Sequence, residues 1–256
     1  MQIVVNNQIL LVLLFITVLY GQSGNDIAKM MDERKQPKDM TSKTTMVLTN
    51  SKGKTRTSII FSQLVDGGNK QILWFLAPAD DKGVAFLKIE HSDKDDEMRM
   101  WLPAFNKIRR ISSKKKGDSF MGSDLSYEDM TSRELEENEF IRLDDAAVDG
   151  KDCFVLGITP KPEAKSTYSK HMTWVEKSTL LPVKEESFDQ NGNLKKTKVF
   201  SNGRRGDYHI MTSIFVRDVQ KDHTTSVKFD EIQLDSGLKD SFFQEKNLKR
   251  MPQQEK

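Results

Sequence analysis

Residues 139–161 read EFIRLDDAAVDGKDCFVLGITPK, and the fold turns on the Asp149-Gly150 step near the centre. Both central residues of a two-residue type I′ turn need positive φ, which Asp accepts and Gly adopts freely. Strand-forming runs flank the step, so the stretch predicts a β-hairpin. Strands joined this tightly are antiparallel, because a parallel pair needs a crossover of about a dozen residues.

The same habit extends outward from this hairpin. Asn191-Gly192 repeats the turn signal, and further runs, TTMVLTN (44–50), KTRTSIIFSQL (54–64), KQILWFLAP (70–78), GVAFLKIEH (83–91), EMRMWLPA (97–104) and KIRRIS (107–112), are separated by short polar connectors. In HMTWVEKS (171–178), Met172 and Trp174 share one face while His171, Thr173 and Val175 share the other. In KKTKVF (195–200) most side chains are expected to face water. Two helices are predicted. The first spans 25–35 behind Asn25 or Asp26 as cap and stops at Pro37; the second starts at Asp240 or Ser241 and carries Phe242, Phe243 and Leu248. The expectation is a mainly β chain of ten or eleven strands, one strongly curved antiparallel sheet with short helices covering its concave face.

Composition excludes several function classes. With 36% hydrophobic and 30% charged residues the chain is globular in character. Forty basic against 38 acidic residues leave a formal charge of +2, too balanced for a dedicated nucleic-acid binder. The run from Ile9 to Tyr20 is apolar without interruption and is followed by Gly21 and Ser23. As a helix it rises only about 18 Å, short of a bilayer core of roughly 30 Å, so residues 1–23 are read as a cleaved signal peptide and 24–256 as one domain. The alternative is a retained anchor. Cys153 alternates with Val155 and is expected to be a small buried residue; a lone cysteine supplies no disulfide.

Motif by motif, catalytic and metal chemistry finds little footing. The four histidines lie far apart, and HSDKDDE (91–97) lacks the central Gly and closing Glu of a calcium loop. No metal or cofactor is therefore expected. GDSF (117–120) looks like the start of a GDS-type esterase motif, which would make Ser119 a nucleophile, but it does not follow the first strand of a parallel α/β sheet. Arg109 and Arg110 are adjacent on a strand and so point to opposite faces, and the inward one needs an anionic partner: Asp118, Asp124, Glu128 or a ligand phosphate.

Residues 100–130, MWLPAFNKIRRISSKKKGDSFMGSDLSYEDM, resemble the signature of the outer membrane lipoprotein-sorting family, the LolA-like periplasmic proteins. The residues that carry the match are Trp101, Leu102, Pro103, Lys107, Arg109, Arg110, Ile111, Gly117, Asp118, Ser119, Phe120, Met121, Gly122, Ser123, Asp124, Ser126, Tyr127, Glu128 and Asp129. Weaker likeness extends to residues 74–87, 174–186 and 240–250. The resemblance implies an incomplete antiparallel β-barrel closed by helices, periplasmic residence, and a hydrophobic cavity that receives acyl chains. It also implies an inner-membrane exporter and an outer-membrane acceptor as partners.

Candidates for the cavity wall are Trp74, Leu76, Phe86, Met100, Leu102 and Trp174; ordinary sheet core is the other reading of each. The basic run is expected at the rim, and residues 117–129 at a lid whose acids answer Arg109 or Arg110. Three functional readings follow: a non-enzymatic carrier of lipoprotein acyl chains or another lipid, an adaptor that docks to an exporter, and a hydrolase centred on Ser119.

Overall fold

The computed structural model describes residues 21–251, so most of the expected signal segment lies outside the described residues. One helix, α1 (Gly24–Asp32), precedes thirteen strands. These are β1 (Asp39–Thr49), β2 (Thr55–Val65), β3 (Lys70–Ala77), β4 (Ala85–Ile89), β5 (Glu97–Leu102), β6 (Lys107–Ile111), β7 (Asn138–Val148), β8 (Lys151–Pro160), β9 (Lys170–Glu176), β10 (Leu181–Phe188), β11 (Leu194–Arg205), β12 (Tyr208–Asp218) and β13 (His223–Leu234). All belong to one sheet in the order β6-β5-β4-β3-β2-β1-β13-β12-β11-β10-β9-β8-β7. Two antiparallel meanders thus meet where β1 pairs with β13, and β6 and β7 remain as unjoined edges.

The strand count exceeds the ten or eleven expected because some turns carry no glycine signal. Asn106 (φ 46°) and Leu180 (φ 56°) supply left-handed residues at the β5–β6 and β9–β10 connections. Asp149 and Gly150 both adopt positive φ, as the hairpin reading requires.

The sheet curls strongly, and a simple distance argument shows it. Residues 112–137 cross one face between the two edge strands, and within them Tyr127 packs on Phe86 of β4 while Asp129 pairs with Lys196 and Lys198 of β11. Six strand spacings separate β4 from β11, about 29 Å on a flat sheet. Two residues of backbone extend only about 7 Å, and the strand side chains that meet them stand roughly perpendicular to the sheet, so they add little lateral reach. The sheet must therefore wrap around the crossing segment, which defines the concave face.

Alternation assigns the rest. Met46, Phe75, Phe86, Met98 and Met100 point inward and form one core with Phe120, Leu125 and Tyr127 of the crossing segment. Ile72, Trp74, Ala85 and Leu87 point outward and are covered by Phe243 and Leu248. The C-terminal segment is two short 3-10 turns, Asp240–Phe242 and Glu245–Asn247, not a helix, and it covers the outer face rather than the concave one. Helix α1 does cover the concave face: Ile27 is fully buried among Phe154, Leu156, Ile158 and Val175 of β8 and β9. Its cap is Ser23, one turn's start earlier than expected, because Ser23 and Asp26 form a reciprocal capping box.

Candidate functional site

The motif at 117–129 folds as a miniature hairpin buried in the trough. The Phe120 amide donates to the Leu125 carbonyl (2.8 Å) and the Tyr127 amide to the Asp118 carbonyl (3.1 Å). Met121 (φ 50°) and Gly122 (φ 79°) turn the tip, and the second of these left-handed positions is the one glycine takes without strain. Gly117 also allows a close approach, since a Cβ there would lie 2.6 Å from the Thr167 methyl carbon. The inserted rings form an aromatic cluster: Phe120 lies 5.2 Å from Phe86 edge-on, and Tyr127 lies 5.9 Å from Phe120 at right angles.

Polar side chains pin both ends of this finger. At its tip the Asp124 carboxylate contacts His223 Nδ1 (2.7 Å) and accepts from the Thr225 hydroxyl (2.7 Å), while the Asp124 amide donates back to Thr225 Oγ1 (2.8 Å). At its base Glu128 accepts from the hydroxyls of Ser166 and Thr167 and from the Thr167 amide. Asp129 accepts from Lys196 (2.8 Å), Tyr168 (2.9 Å), the Ser126 hydroxyl (2.7 Å) and amide (2.8 Å), and Lys198 (2.5 Å).

This base belongs to a buried ionic network on the inner faces of β9, β10 and β11. Lys198 also donates to Glu185 (3.0 Å), and Arg133 grips Glu185 with two bonds of 2.6 and 2.9 Å. Burial alone would raise the Asp129 carboxyl, but Lys198 and Lys196 outweigh it and hold it far below the usual carboxylate range. Burial opposes the charged form of Glu185 too, and Arg133 and Lys198 overcome it. The two lysines diverge: burial dominates and lowers Lys196, which has one carboxylate, while Asp129 and Glu185 together overcome burial and raise Lys198. Burial, with the positive charge of Arg133, depresses His171 to about 3, so it is neutral and bonds Ser187 (2.9 Å).

These positions correct several expectations. Lys196 and Lys198 are 4% and 5% exposed rather than water-facing. The motif's acids are not answered by Arg109 or Arg110; both arginines sit on the edge strand β6 and are exposed. Arg109 shares the inner face with Met100 and Arg110 the outer face with Arg99, as adjacency requires. Phe86 and Met100 line the trough, and Leu102 packs against its margin. Trp74 and Trp101 lie in the outer cluster beneath the C-terminal segment, and Leu76, half-buried, is the extra residue where the register shifts between Phe75 opposite Ile60 and Ala77 opposite Ile59, so alternation does not assign it a face. Trp174 is also on the outer face, beside Leu143, Val155 and Met172, with the Lys184 ammonium 4.2 Å from its ring centroid. The inner face of that strand carries His171, Thr173 and Val175. The Ser119 hydroxyl donates to the Ser123 carbonyl, so it is spent within the turn.

Where the two sheet edges approach, a cleft of about 730 Å³ opens. Asp95, Asp96, Glu134 and Glu137 line it with Lys116 and Lys165. Burial, together with the Glu90 charge, raises Asp96; burial and the neighbouring carboxylates raise Glu134. The cleft is therefore acidic and polar, and its lining reaches Asp129, Arg133 and His171 of the ionic network. Among the described residues no three His, Cys, Asp or Glu side chains are grouped to hold a metal ion.

A family model described only as an uncharacterized protein matches residues 67–250. A domain assigned to outer membrane lipoprotein sorting in Vibrio parahaemolyticus shares 30% identity, with 89% of this chain and 98% of that chain covered and a TM-score of 0.84. The chain belongs to the outer membrane lipoprotein-sorting family. A DUF1329 family protein from Desulfovibrio piger is as similar, at 30% identity over 88% of this chain and 97% of that one, TM-score 0.83. A LolA superfamily protein from Nitrosomonas europaea shares the fold, with 18% identity, 88% and 99% coverage and a TM-score of 0.70. No curated protein sequence matches. The fold shared with these proteins is mainly β: one large antiparallel sheet that is not closed, with one helix.

The ionic network is what sequence reading missed. Its members come from four separate stretches, with Asp129 and Lys198 sixty-nine positions apart. The signal available was the triplet Lys195, Lys196, Lys198 in a strand with no other use for three ammonium groups.

Proposed function

We propose that this protein is a non-enzymatic periplasmic carrier that shelters lipoprotein acyl chains, or another lipid, in the trough now occupied by the 117–129 finger. The observation that carries this reading is the covering of the apolar lining. Met46, Phe75, Phe86, Met98 and Met100 are roofed by a single irregular segment containing Phe120, Leu125 and Tyr127, and not by a packed layer of regular structure. Withdrawing three such side chains costs about 5–9 kcal/mol at 1.5–3 kcal/mol each. A sixteen-carbon chain taking their place regains about 12 kcal/mol at 0.8 kcal/mol per methylene. The exchange is favourable for a lipid and unfavourable for water, which is the behaviour a carrier needs. The methionines of the lining adapt to chains of different shape.

A second reading has its own support. The finger fills the trough with the protein's own side chains, and an adaptor that docks to an inner-membrane exporter needs no vacancy. Native mass spectrometry of protein released from the periplasm separates the two: a co-purifying acylated species supports carriage. A Phe120→Trp reporter adds a second measure, because emission shifts to the red only if the finger leaves the trough when lipid enters. An empty protein whose reporter never moves while an exporter co-purifies overturns the carrier reading. The proposed partners of the carrier are an exporter that loads it and an outer-membrane acceptor.

A further inference from the structure

At 76% exposure Phe105 is the most exposed large apolar side chain among the described residues. It tips the β5–β6 hairpin, where Pro103–Phe105 form one 3-10 turn and Asn106 turns the chain back. Nothing in the trough or the finger accounts for it. Around this ring the surface is basic. Lys107 and Arg109 follow on β6 and are exposed, and the Lys249 ammonium lies 4.5 Å from the ring centroid of Trp101, which opposes Ile108 across the hairpin. Of the nearby acids, Asp81 pairs with Arg56, and Glu97 and Glu245 pair with Arg99, while Asp80 is exposed in the same loop as Lys82. The loop holding Asp81 abuts the tip, since a Cβ on Gly83 would touch Pro103 at 3.6 Å. Among the described residues no carboxylate forms an ion pair with Lys107, Arg109 or Lys249.

We propose that the β5–β6 hairpin tip docks on an anionic phospholipid surface, with Phe105 entering the interfacial zone and Lys107, Arg109 and Lys249 against headgroup phosphates. One protruding ring with a collar of unpartnered cations suits a bilayer, which offers apolar depth beneath a negative plane and demands no shape match. A polynucleotide would instead need successive stacking rings, and a single one is offered. The inference concerns a surface remote from the trough, so it stands or falls separately from the carriage of lipid.

Sedimentation with vesicles tests it, using the exported protein and the variants Phe105→Ser and Lys107→Glu/Arg109→Glu, with melting curves confirming that all remain folded. Binding is expected to phosphatidylglycerol-containing vesicles and at least about tenfold more weakly to pure phosphatidylcholine. Phe105→Ser is expected to weaken binding about tenfold, and each charge removed about fivefold. No binding to phosphatidylglycerol vesicles overturns the proposal. So does binding that the charge variant abolishes and Phe105→Ser leaves unchanged, which marks a patch for a soluble anion or an acidic protein.

Discussion

Replacing Asp129 by Asn tests whether the ionic network holds the crossing segment in place. The Asp129 side chain is 1% exposed and receives both Lys196 and Lys198, themselves 5% and 6% exposed. After the substitution Lys198 keeps Glu185 at 3.0 Å, but Lys196 loses its carboxylate partner. An ammonium stranded in a buried site is the costly product, and breaking such a pair from one side costs about 3–5 kcal/mol. Against a typical total stability of about 5–15 kcal/mol this is about a fifth or more of the whole. In urea, with a denaturant slope of about 3 kcal/mol per molar for a domain of this size, the midpoint falls by about 1–1.7 M. Circular dichroism across a urea series reads it directly. The second half of the test is rescue: Asp129→Asn combined with Lys196→Met removes the orphaned charge and recovers part of the loss. A midpoint that moves by less than about 0.3 M, or a double variant no more stable than the single one, refutes the orphaned-charge reasoning.

Acid sensitivity should trace to His171. The unfolded chain takes up a proton near pH 6.5, and the folded chain, with this imidazole held at about 3, does not. Its folded pKa is depressed, so stability falls as pH drops from about 6.5 towards 3, by at most about 1.4 kcal/mol per unit. His171→Gln flattens the slope between pH 6.5 and 4.5, above the range where Asp129 and Glu185 add their own loss; an unchanged slope in urea titrations counts against the assignment. Phe120→Ala leaves a cavity beside Phe86 and lowers stability by about 3–5 kcal/mol, yet it raises uptake of a fluorescent fatty acid, because the finger's grip is weaker. Trp74→Ala destabilises by a similar amount from the outer face and leaves that uptake unchanged. Gly24→Ala drives a methyl to 2.4 Å from the Phe140 carbonyl oxygen, so α1 lifts from β7 and its amides lose protection in hydrogen exchange.

Local chemistry was legible and long-range pairing was not. The Asp149-Gly150 and Asn191-Gly192 turns, the alternation in 171–175 and the run of short connectors predict an antiparallel meander without any reference to contacts between distant residues. Alternation also separates Trp74 from Phe75, but it does not say which of them looks inward. Both faces of β3 are buried, one by the crossing segment and the other by the C-terminal turns, so the periodic pattern is symmetrical there. Helix α1 was visible through Ile27 and its polar flank, while the C-terminal turns imitate a helix because Phe243 and Leu248 must both reach the outer cluster. Lys196 and Lys198 look solvated because a single strand holds no record of Asp129 and Glu185. The 117–129 motif shows the reverse. Its small residues announce a tight turn, and Asp118, Asp124 and Glu128 were named as partners for an inward arginine, but Asp124 meets His223 and Thr225 of β13, Glu128 meets Ser166 and Thr167, and the buried cations of β11 go to Asp129.

The division of the concave face into two halves gives the proposed carrier its mechanics. The finger's apolar end lies over β1, β3, β4 and β13, where the contacts are non-directional and a lipid chain can replace them at little net cost. Its base is held over β9–β11 by charges that lipid cannot replace, since removing one partner strands another. Between these halves lies the Tyr127–Met130 turn, a single 3-10 step with few backbone bonds to break. An opening motion therefore pivots there: the Asp124 contacts with His223 and Thr225 release, Phe120 and Leu125 leave the trough, and Asp129 stays. Were the segment to detach as a whole instead, Asp129→Asn would speed lipid uptake as much as Phe120→Ala does. A pivot predicts that Phe120→Ala speeds uptake far more than Asp129→Asn, even though both cost similar stability, and stopped-flow uptake at matched fraction folded distinguishes the two motions.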